Sequence, residues 1–237
     1  LLSGRLEISD LHVRFGQAHI LQGVSLTVSK EPLSLVGRNG MGKSTLCHAI
    51  MGMVSAHSGH IRLDDQDIAG LNPNRVARKG IALVPQGRRM FPSLTVHEHL
   101  MLVAQKGNVP WTIDRVYETF PRLAERRRNG GNQLSGGEQQ MLAISRALLM
   151  NPRIIIMDEP SEGLAPVIVD HLVETVKQIA AEGMGVLLVE QNMRVATEVS
   201  QTVAVMVTGR IATTMASQTL MDDPEAQRRY LGVSHGH

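Results

Sequence analysis

The sequence is poor in cysteine and in net charge. Cys47 is the only cysteine among 237 residues, so no disulfide can form within the chain and a reducing compartment is expected. Its thiol lies in a predicted helix, where it is expected to be a small core residue. The formal net charge is only +2, which argues against a nucleic-acid partner because such binding needs a clustered basic face. The one basic run, Arg126-Arg127-Arg128, is interpreted as a solvated helix end.

Long apolar segments are also lacking. No stretch approaches the roughly 20 apolar residues that a membrane-spanning helix requires, and no charged-then-apolar leader begins the sequence. Repeats and low-complexity segments are absent, and only residues 234–237 are predicted to be an unstructured tail. The sequence therefore predicts a soluble, cytoplasmic protein, whose role at a membrane would come through partners.

Strand-like and helix-like segments alternate along the chain. Polar–apolar alternation and short apolar runs predict strands over 6–14, 20–28, 33–36, 59–63, 81–84, 153–157 and 185–189, with a final strand pair over 202–214. Helices are predicted over 46–53, 73–79, 111–127, 135–150, 167–182 and 216–231. Thr95 followed by Glu98 indicates a capping box. This alternation predicts an α/β fold with a mainly parallel sheet, into which a helical block over 87–150 is inserted.

A glycine-rich segment lies between a predicted strand and a predicted helix. It matches the pattern G-x-x-x-x-G-K-[ST], in which glycines let backbone N–H groups surround phosphate oxygens and the following helix contributes its positive end. Lys43 is expected to contact the β- and γ-phosphates, and the Ser44 hydroxyl is expected to bind Mg²⁺. The alternative, a purely structural glycine loop, is disfavoured by the strand–loop–helix context. The predicted nucleotide-binding residues are Gly37, Arg38, Asn39, Gly40, Met41, Gly42, Lys43, Ser44 and Thr45.

Two adjacent carboxylates end the apolar segment 153–157. In an open α/β sheet, ligands bind at the carboxyl ends of the strands. Asp158 is therefore predicted to hold magnesium, and Glu159 is predicted to act as the general base that activates water. The alternative is a pair of solvated loop acids, which the phosphate loop makes the weaker interpretation. Together the two motifs predict a site that binds and hydrolyses ATP.

Residues 134–140, LSGGEQQ, precede the predicted helix that leads to these acids. Alone, Ser-Gly-Gly would be an ordinary helix cap. With the phosphate loop and the acidic strand end, the segment resembles the LSGGQ or LSGGE signature of ATP-binding cassette (ABC) transporter ATPases, and the resemblance covers essentially the whole chain. It implies one P-loop NTPase domain over 1–237. A RecA-like, mainly parallel core is implied over 1–86 and 151–214, with an antiparallel N-terminal β-subdomain, an ABC-type helical subdomain over 87–150, and a C-terminal helix and tail over 215–237.

The resemblance also implies partners and further site residues. In this family two cassettes pair head to tail, so Ser135, Gly136 and Gly137 would bind the γ-phosphate held by the partner. Phe15 stands where an aromatic ring stacks on adenine, although a core position is the alternative. Gln86 stands where a glutamine reaches both Mg²⁺ and the attacking water, at the junction that faces a membrane partner. The implied cofactors are ATP and Mg²⁺.

Two positions depart from the family pattern. Gln191 replaces the usual switch histidine; it can donate a hydrogen bond to phosphate but carries no charge, so slower hydrolysis or a stronger dependence on the partner is expected. Ala165 replaces an aspartate in the loop after Glu159. These departures, with the segments PSEGLAP, LLVEQN, PQGRRMFPSLTV and FPRLAERR, resemble an ATPase subunit of bacterial branched-chain amino-acid importers. Subunits of urea or short-chain amide importers are the alternative.

Three functions are compatible with these motifs. The first is a transport ATPase at the cytoplasmic face of the inner membrane, with a paralogous second cassette, permease subunits and, indirectly, a periplasmic solute-binding protein. The second is a soluble ABC protein acting on ribosomes or nucleic acid, which is disfavoured because Gln86 and Leu134 are only 48 residues apart and leave no room for a coiled-coil insertion. The third is a nucleotide-dependent regulator, which the presence of Glu159 disfavours.

Overall fold

The computed structural model describes residues 4–231 and contains two β-sheets with helices packed around them. The predicted tail at 234–237 lies outside that range. The strands are β1 (Leu6–Phe15), β2 (Ala18–Val28), β3 (Leu33–Val36), β4 (Ser58–Leu63), β5 (Gln66–Asp67), β6 (Ile81–Val84), β7 (Ile154–Asp158), β8 (Gly185–Glu190), β9 (Thr202–Val207) and β10 (Arg210–Ala216). The α-helices are α1 (Lys43–Ile50), α2 (Pro73–Arg78), α3 (Val96–Met101), α4 (Ile113–Thr119), α5 (Pro121–Glu125), α6 (Gly136–Leu148), α7 (Pro166–Ala181), α8 (Met193–Val199), α9 (Ser217–Asp222) and α10 (Pro224–Leu231).

A six-stranded sheet in the order β10-β9-β3-β8-β7-β6 forms the centre of the molecule. Its neighbouring strands are parallel except for β10, which runs antiparallel to β9. Every residue of β3, β7 and β8 is buried, because helices or the second sheet cover both faces. The apolar runs that predicted these strands are therefore explained by burial on two sides.

The second sheet is antiparallel, in the order β2-β1-β4-β5. Alternate residues of β1 are buried, and Leu6 pairs with Val28 on one side and with Leu63 on the other. Its buried face packs against α1 and against Ile154 and Ile156 of β7. The opposite face of β7, which carries Ile155 and Met157, packs against the apolar cluster of α6 and α7. Because strand residues alternate between faces, β7 contributes side chains to both hydrophobic cores.

The predicted helical block lies between β6 and β7 in the chain, as expected. Thr95 caps α3: its hydroxyl accepts from the Glu98 backbone N–H at 3.2 Å, and the Glu98 carboxylate accepts from the Thr95 N–H at 2.8 Å. Cys47 is buried in the core, and Arg126-Arg127-Arg128 is exposed just after α5. These three predictions are confirmed. Within residues 4–231, no helix combines the length and apolarity that crossing a bilayer demands.

Two of the predicted long helices are wrong. Residues 111–127 contain α4 and α5, separated at Phe120, and residues 216–231 contain α9 and α10, separated at Asp223. In both cases the second helix begins at a proline, Pro121 or Pro224. Proline lacks the N–H that would continue the preceding helix, and its ring disfavours the helical conformation of the residue before it.

Several shorter differences also separate the sequence expectations from the structure. Helix α1 begins at Lys43 and ends at Ile50, whereas 46–53 was predicted, because the phosphate loop leads directly into the helix. The short strand β5 and the helix α8 were not predicted. Asn192 caps α8 by accepting from the Val195 N–H, so the N-cap preference of asparagine could have revealed this helix.

The capping box of α3 generates a stability prediction. Thr95→Ala should lower the free energy of unfolding by about 1 kcal/mol, because the Glu98 N–H loses its acceptor. Thr95→Ser, which keeps the hydroxyl, is the matched control and should lose much less. The midpoint of urea unfolding measures both, and equal midpoints for Thr95→Ala and the wild type would contradict the prediction.

Candidate functional site

The phosphate loop connects β3 to α1, and its backbone conformation depends on glycine. Gly40 and Gly42 have φ of 78° and 100°, in the left-handed region where a Cβ is costly. A Cβ on Gly37 would lie 2.5 Å from the Met206 carbonyl oxygen. These glycines therefore fix the loop in front of the first turn of α1, where helix N–H groups suit an anion.

Lys43, the first residue of α1, lies inside this loop. Its Nζ donates to the Gly37 carbonyl at 2.7 Å and to the Arg38 carbonyl at 3.1 Å, and it lies 3.1 Å from Glu159 Oε1. The Lys43 and Glu159 side chains are only 3% and 6% exposed. The structure thus brings the predicted phosphate-binding cation and the predicted general base into a buried ion pair.

Glu159 contacts the other three predicted catalytic residues, Lys43, Gln86 and Gln191. Its Oε2 accepts from Gln191 Nε2 at 2.8 Å and from Gln86 Nε2 at 3.3 Å, while Oε1 faces Lys43. Gln191 Nε2 also contacts the Asn39 side-chain oxygen in the phosphate loop. Glu159 has a φ of 49°, a conformation that non-glycine residues adopt mainly where the surrounding structure enforces it, often at functional sites.

Asp158 lies at the end of β7 and is 2% exposed. Burial raises the pKa of its carboxyl, while a hydrogen bond from the Ser44 hydroxyl opposes that shift. Its Oδ1 is buried and has no hydrogen-bond partner within residues 4–231. An unpartnered carboxylate oxygen beside a serine hydroxyl is the donor set that Mg²⁺ prefers. The residues therefore fit the implied metal ion.

Phe15 is 52% exposed at the end of β1, so the alternative core position is wrong. It lines an open cleft of about 440 Å³. The cleft is also lined by Ile20, Asn39, Gly40, Gly42, Lys43, Ser44, Thr45, Gln86 and Glu159. Most of the predicted nucleotide-binding residues thus share one cleft, with an aromatic ring at its edge.

Ser135, Gly136 and Gly137 do not line this cleft. They form the start of α6, where the Ser135 hydroxyl accepts from the Glu138 N–H at 3.2 Å and the Glu138 carboxylate accepts from the Ser135 N–H at 2.8 Å. A Cβ on Gly137 would lie 2.9 Å from Ile168, which explains glycine at that position. The structure therefore separates the signature residues from the chain's own phosphate loop.

Glu190, at the end of β8, is a site residue that sequence reasoning missed. Its buried carboxylate accepts from the backbone N–H of Ser161 at 3.0 Å and from those of Gln191 and Asn192 at 3.2 Å. Burial raises its pKa, and these hydrogen bonds oppose the shift. A carboxylate that ends an apolar strand was the available signal, since the same pattern marked Asp158 on the neighbouring strand.

Known proteins are similar to this chain in sequence over most of its length. Residues 21–162 match the protein family described as ABC transporter. The chain is 40% identical over 231 residues to the high-affinity branched-chain amino acid transport ATP-binding protein BraG of Pseudomonas aeruginosa, covering 96% of this chain and 99% of that protein. It is also 34% identical over 234 residues to the lipopolysaccharide export system ATP-binding protein LptB of Haemophilus influenzae, covering 96% of this chain and 97% of that protein.

A solved structure shows the same fold. The ADP conformation of an ATP-binding cassette of an ABC transporter matches with a TM-score of 0.81 at 26% identity, covering 97% of this chain and 99% of that one. The predicted P-loop NTPase fold and the family resemblance drawn from the signature are both confirmed. The chain belongs to the ABC transporter family, as one of its ATP-binding ATPase domains.

Proposed function

We propose that this chain hydrolyses ATP to energise an ABC importer of branched-chain amino acids. The observation that carries the enzymatic part is the contact of the buried Glu159 with the buried Lys43 and with the exposed side chains of Gln86 and Gln191. The solute is supported by the name of BraG at 40% identity and by the segments around Glu162 and Gln191. The urea or amide importer stays an alternative.

Each side chain of the nucleotide cleft has a separate role in the proposed hydrolysis. The phosphate loop and Lys43 bind the β- and γ-phosphates, and Phe15 supplies a ring face for adenine. Ser44, Asp158 and Gln86 would hold Mg²⁺, which when bound neutralises phosphate charge. Glu159 accepts the proton of the attacking water. Gln86 and Gln191, which already donate to the Glu159 carboxylate, keep that carboxylate oriented, and Gln191 donates to the γ-phosphate.

The complete site is proposed to need a second cassette. Ser135, Gly136 and Gly137 do not line the chain's own cleft, yet the start of α6 presents backbone N–H groups suited to phosphate. A head-to-tail pair would bring the start of α6 from one cassette to the phosphate loop of the other. The proposed partners are a paralogous cassette, permease subunits at the cytoplasmic face of the inner membrane and, indirectly, a periplasmic solute-binding protein; nucleic acid is not among them.

The domain division is proposed on the same basis. Residues 1–237 are treated as one cassette, with a core over 1–86 and 151–214, a helical subdomain over 87–150, and a C-terminal part over 215–237. The position of α3 to α6 between β6 and β7 supports this division.

Glu159→Gln tests the catalytic role. Turnover of ATP should fall by about 10²- to 10⁴-fold, the usual contribution of a general base, while ATP binding persists and ATP-bound dimers accumulate. Phosphate release and size-exclusion chromatography with ATP measure these two effects. Glu174→Gln, a surface carboxylate on α7 paired with Lys177, is the matched control. Unchanged turnover in Glu159→Gln would remove Glu159 as the base.

Asp158→Asn tests the metal-binding role through stability. Because burial raises the Asp158 pKa in the folded state, the ionised carboxylate destabilises the fold at pH values above that raised pKa. The substitution should therefore raise the unfolding free energy at pH 7 by about 1 kcal/mol without ligand, and this gain should shrink as the pH falls towards the ordinary aspartate pKa. Urea unfolding over this pH range measures the gain, and Mg²⁺-dependent stabilisation by ATP should be lost. Mg²⁺-dependent stabilisation that persists in Asp158→Asn would contradict the assignment.

The solute is tested in cells. Removing the gene should lower uptake of labelled leucine, and the wild-type gene, but not the Glu159→Gln variant, should restore it. Similarity to LptB makes lipopolysaccharide export the second candidate. Normal leucine uptake together with a defect in surface lipopolysaccharide would favour that candidate over the proposed one.

A further inference from the structure

Arg88 lies beside α6, and the sequence motifs assigned no role to it. It follows Gln86 and Gly87 after β6, and its backbone φ is 61°. Its Nη2 donates to the Glu162 carbonyl at 2.9 Å, and its Nη1 lies only 2.7 Å from where a Cβ of Gly136 would be. The guanidinium therefore lies directly against the first turn of α6, and glycine at position 136 leaves the space for it.

The electrostatics of this position are unfavourable without an anion. The start of α6 carries the partial positive charge of a helix N-terminus, and a guanidinium beside it adds a full charge. Arg88 donates to a carbonyl and forms no ion pair within residues 4–231. The carboxylate of Glu138, which could offset the charge, accepts from the Ser135 N–H and lies 3.7 Å from Arg126. Arg88 and the α6 N-terminus together are suited to a multiply charged anion.

The nucleotide cleft, in turn, is short of positive charge. Lys43 is the only cationic side chain among the residues of 4–231 that line it, and the switch position holds the neutral Gln191. The developing charge on a transferred phosphoryl group is commonly stabilised by an arginine that a second subunit supplies. Arginine suits this role because its planar guanidinium donates two parallel hydrogen bonds to phosphate oxygens.

We propose that Arg88 contacts the γ-phosphate in the partner cassette, acting in trans together with Ser135 and Gly137. This inference depends on the head-to-tail pairing proposed above, and its test uses the dimer that two copies of this chain form in the isolated protein. The hydrogen bond from Arg88 to Glu162 holds the guanidinium at the start of α6. The left-handed backbone at Arg88 is the kind of enforced conformation that clusters at functional sites. Arg88 of the opposing cassette thus supplies the positive charge that the neutral Gln191 does not provide.

Mixing two defective variants tests the action in trans. In a mixed dimer of Glu159→Gln and Arg88→Ala, one site combines the intact Glu159 of one chain with the intact Arg88 of the other. An equimolar mixture should regain about one quarter of wild-type turnover, because half of the dimers in a random mixture are mixed and each holds one complete site. Each variant alone should be at least about tenfold slower than the wild type.

Two outcomes would overturn the inference. If Arg88 acts within its own chain, or only supports the loop, the mixture stays at or below the turnover of Arg88→Ala alone. If Arg88→Ala alone keeps wild-type turnover, Arg88 has no role in the reaction. An equimolar mixture of Glu159→Gln with the wild type gives the reference activity for dimers that hold one complete site, once the contribution of the wild-type homodimers, about one quarter of the dimers, is subtracted.

Further measurements separate this inference from the proposed function. If Glu159→Gln forms no dimer with ATP, both proposals fail; if it forms dimers and the mixture does not recover, only the role of Arg88 fails. Arg88→Ala monomers should bind ATP with wild-type affinity, because the cleft that holds ATP does not include Arg88; a loss of binding would contradict the proposal. Arg88→Lys, which keeps the charge, should retain more turnover than Arg88→Ala.

The neighbouring Arg89 offers a matched control. It has the same charge and a similar left-handed backbone, with a φ of 41°, but its contact with α6 is made by its carbonyl, which accepts from Arg146 at 3.2 Å. Arg89→Ala should leave turnover within about twofold of the wild type, as surface substitutions usually do. An equal loss in the two alanine variants would show that overall charge, and not the position of Arg88, affects the rate, and would overturn the assignment.

Discussion

The ion pair between Lys43 and Glu159 is the interaction on which the site depends. Removing both charges from water is costly, and the attraction between them offsets that cost only if further hydrogen bonds complete their surroundings. Lys43 has two carbonyl acceptors in the phosphate loop, and Glu159 has two amide donors, Gln86 and Gln191. The pair therefore requires the loop, the end of β7 and the ends of two neighbouring strands to be in place together.

The parallel sheet places these groups. Strands β3, β8, β7 and β6 lie side by side, and the segments that leave their carboxyl ends carry, in that order, the phosphate loop, Gln191, the acidic pair and Gln86. Because parallel strands end at one edge of the sheet, residues far apart in sequence meet there. Strands β3, β7 and β8 are buried on both faces, so packing fixes the position of this edge.

The sequence predicted most of this edge because its motifs are local. The phosphate loop is defined by glycines and one lysine within nine residues, and the acids by the end of one apolar run. Glu190 was missed although it ends an apolar strand, because its hydrogen bond with Ser161, in the loop after β7, is a contact between residues distant in sequence. The breaks in the two predicted long helices, at Pro121 and Pro224, are local features that the chemistry of proline alone predicts. No pattern in a single sequence indicated that Arg88 lies against Gly136.

Glu190 gives the structure a property that its motifs do not describe. One carboxylate accepts from Ser161, in the loop after Glu159, and from Gln191 and Asn192, at the start of α8. Both loops therefore hydrogen-bond to the same buried carboxylate. A shift of one loop that moves this carboxylate would also disturb the hydrogen bonds of the other loop. A movement of Gln191 caused by a ligand would be transmitted to the segment that leads into α7. The Glu190 side chain thus connects the loop after β7 to the loop after β8.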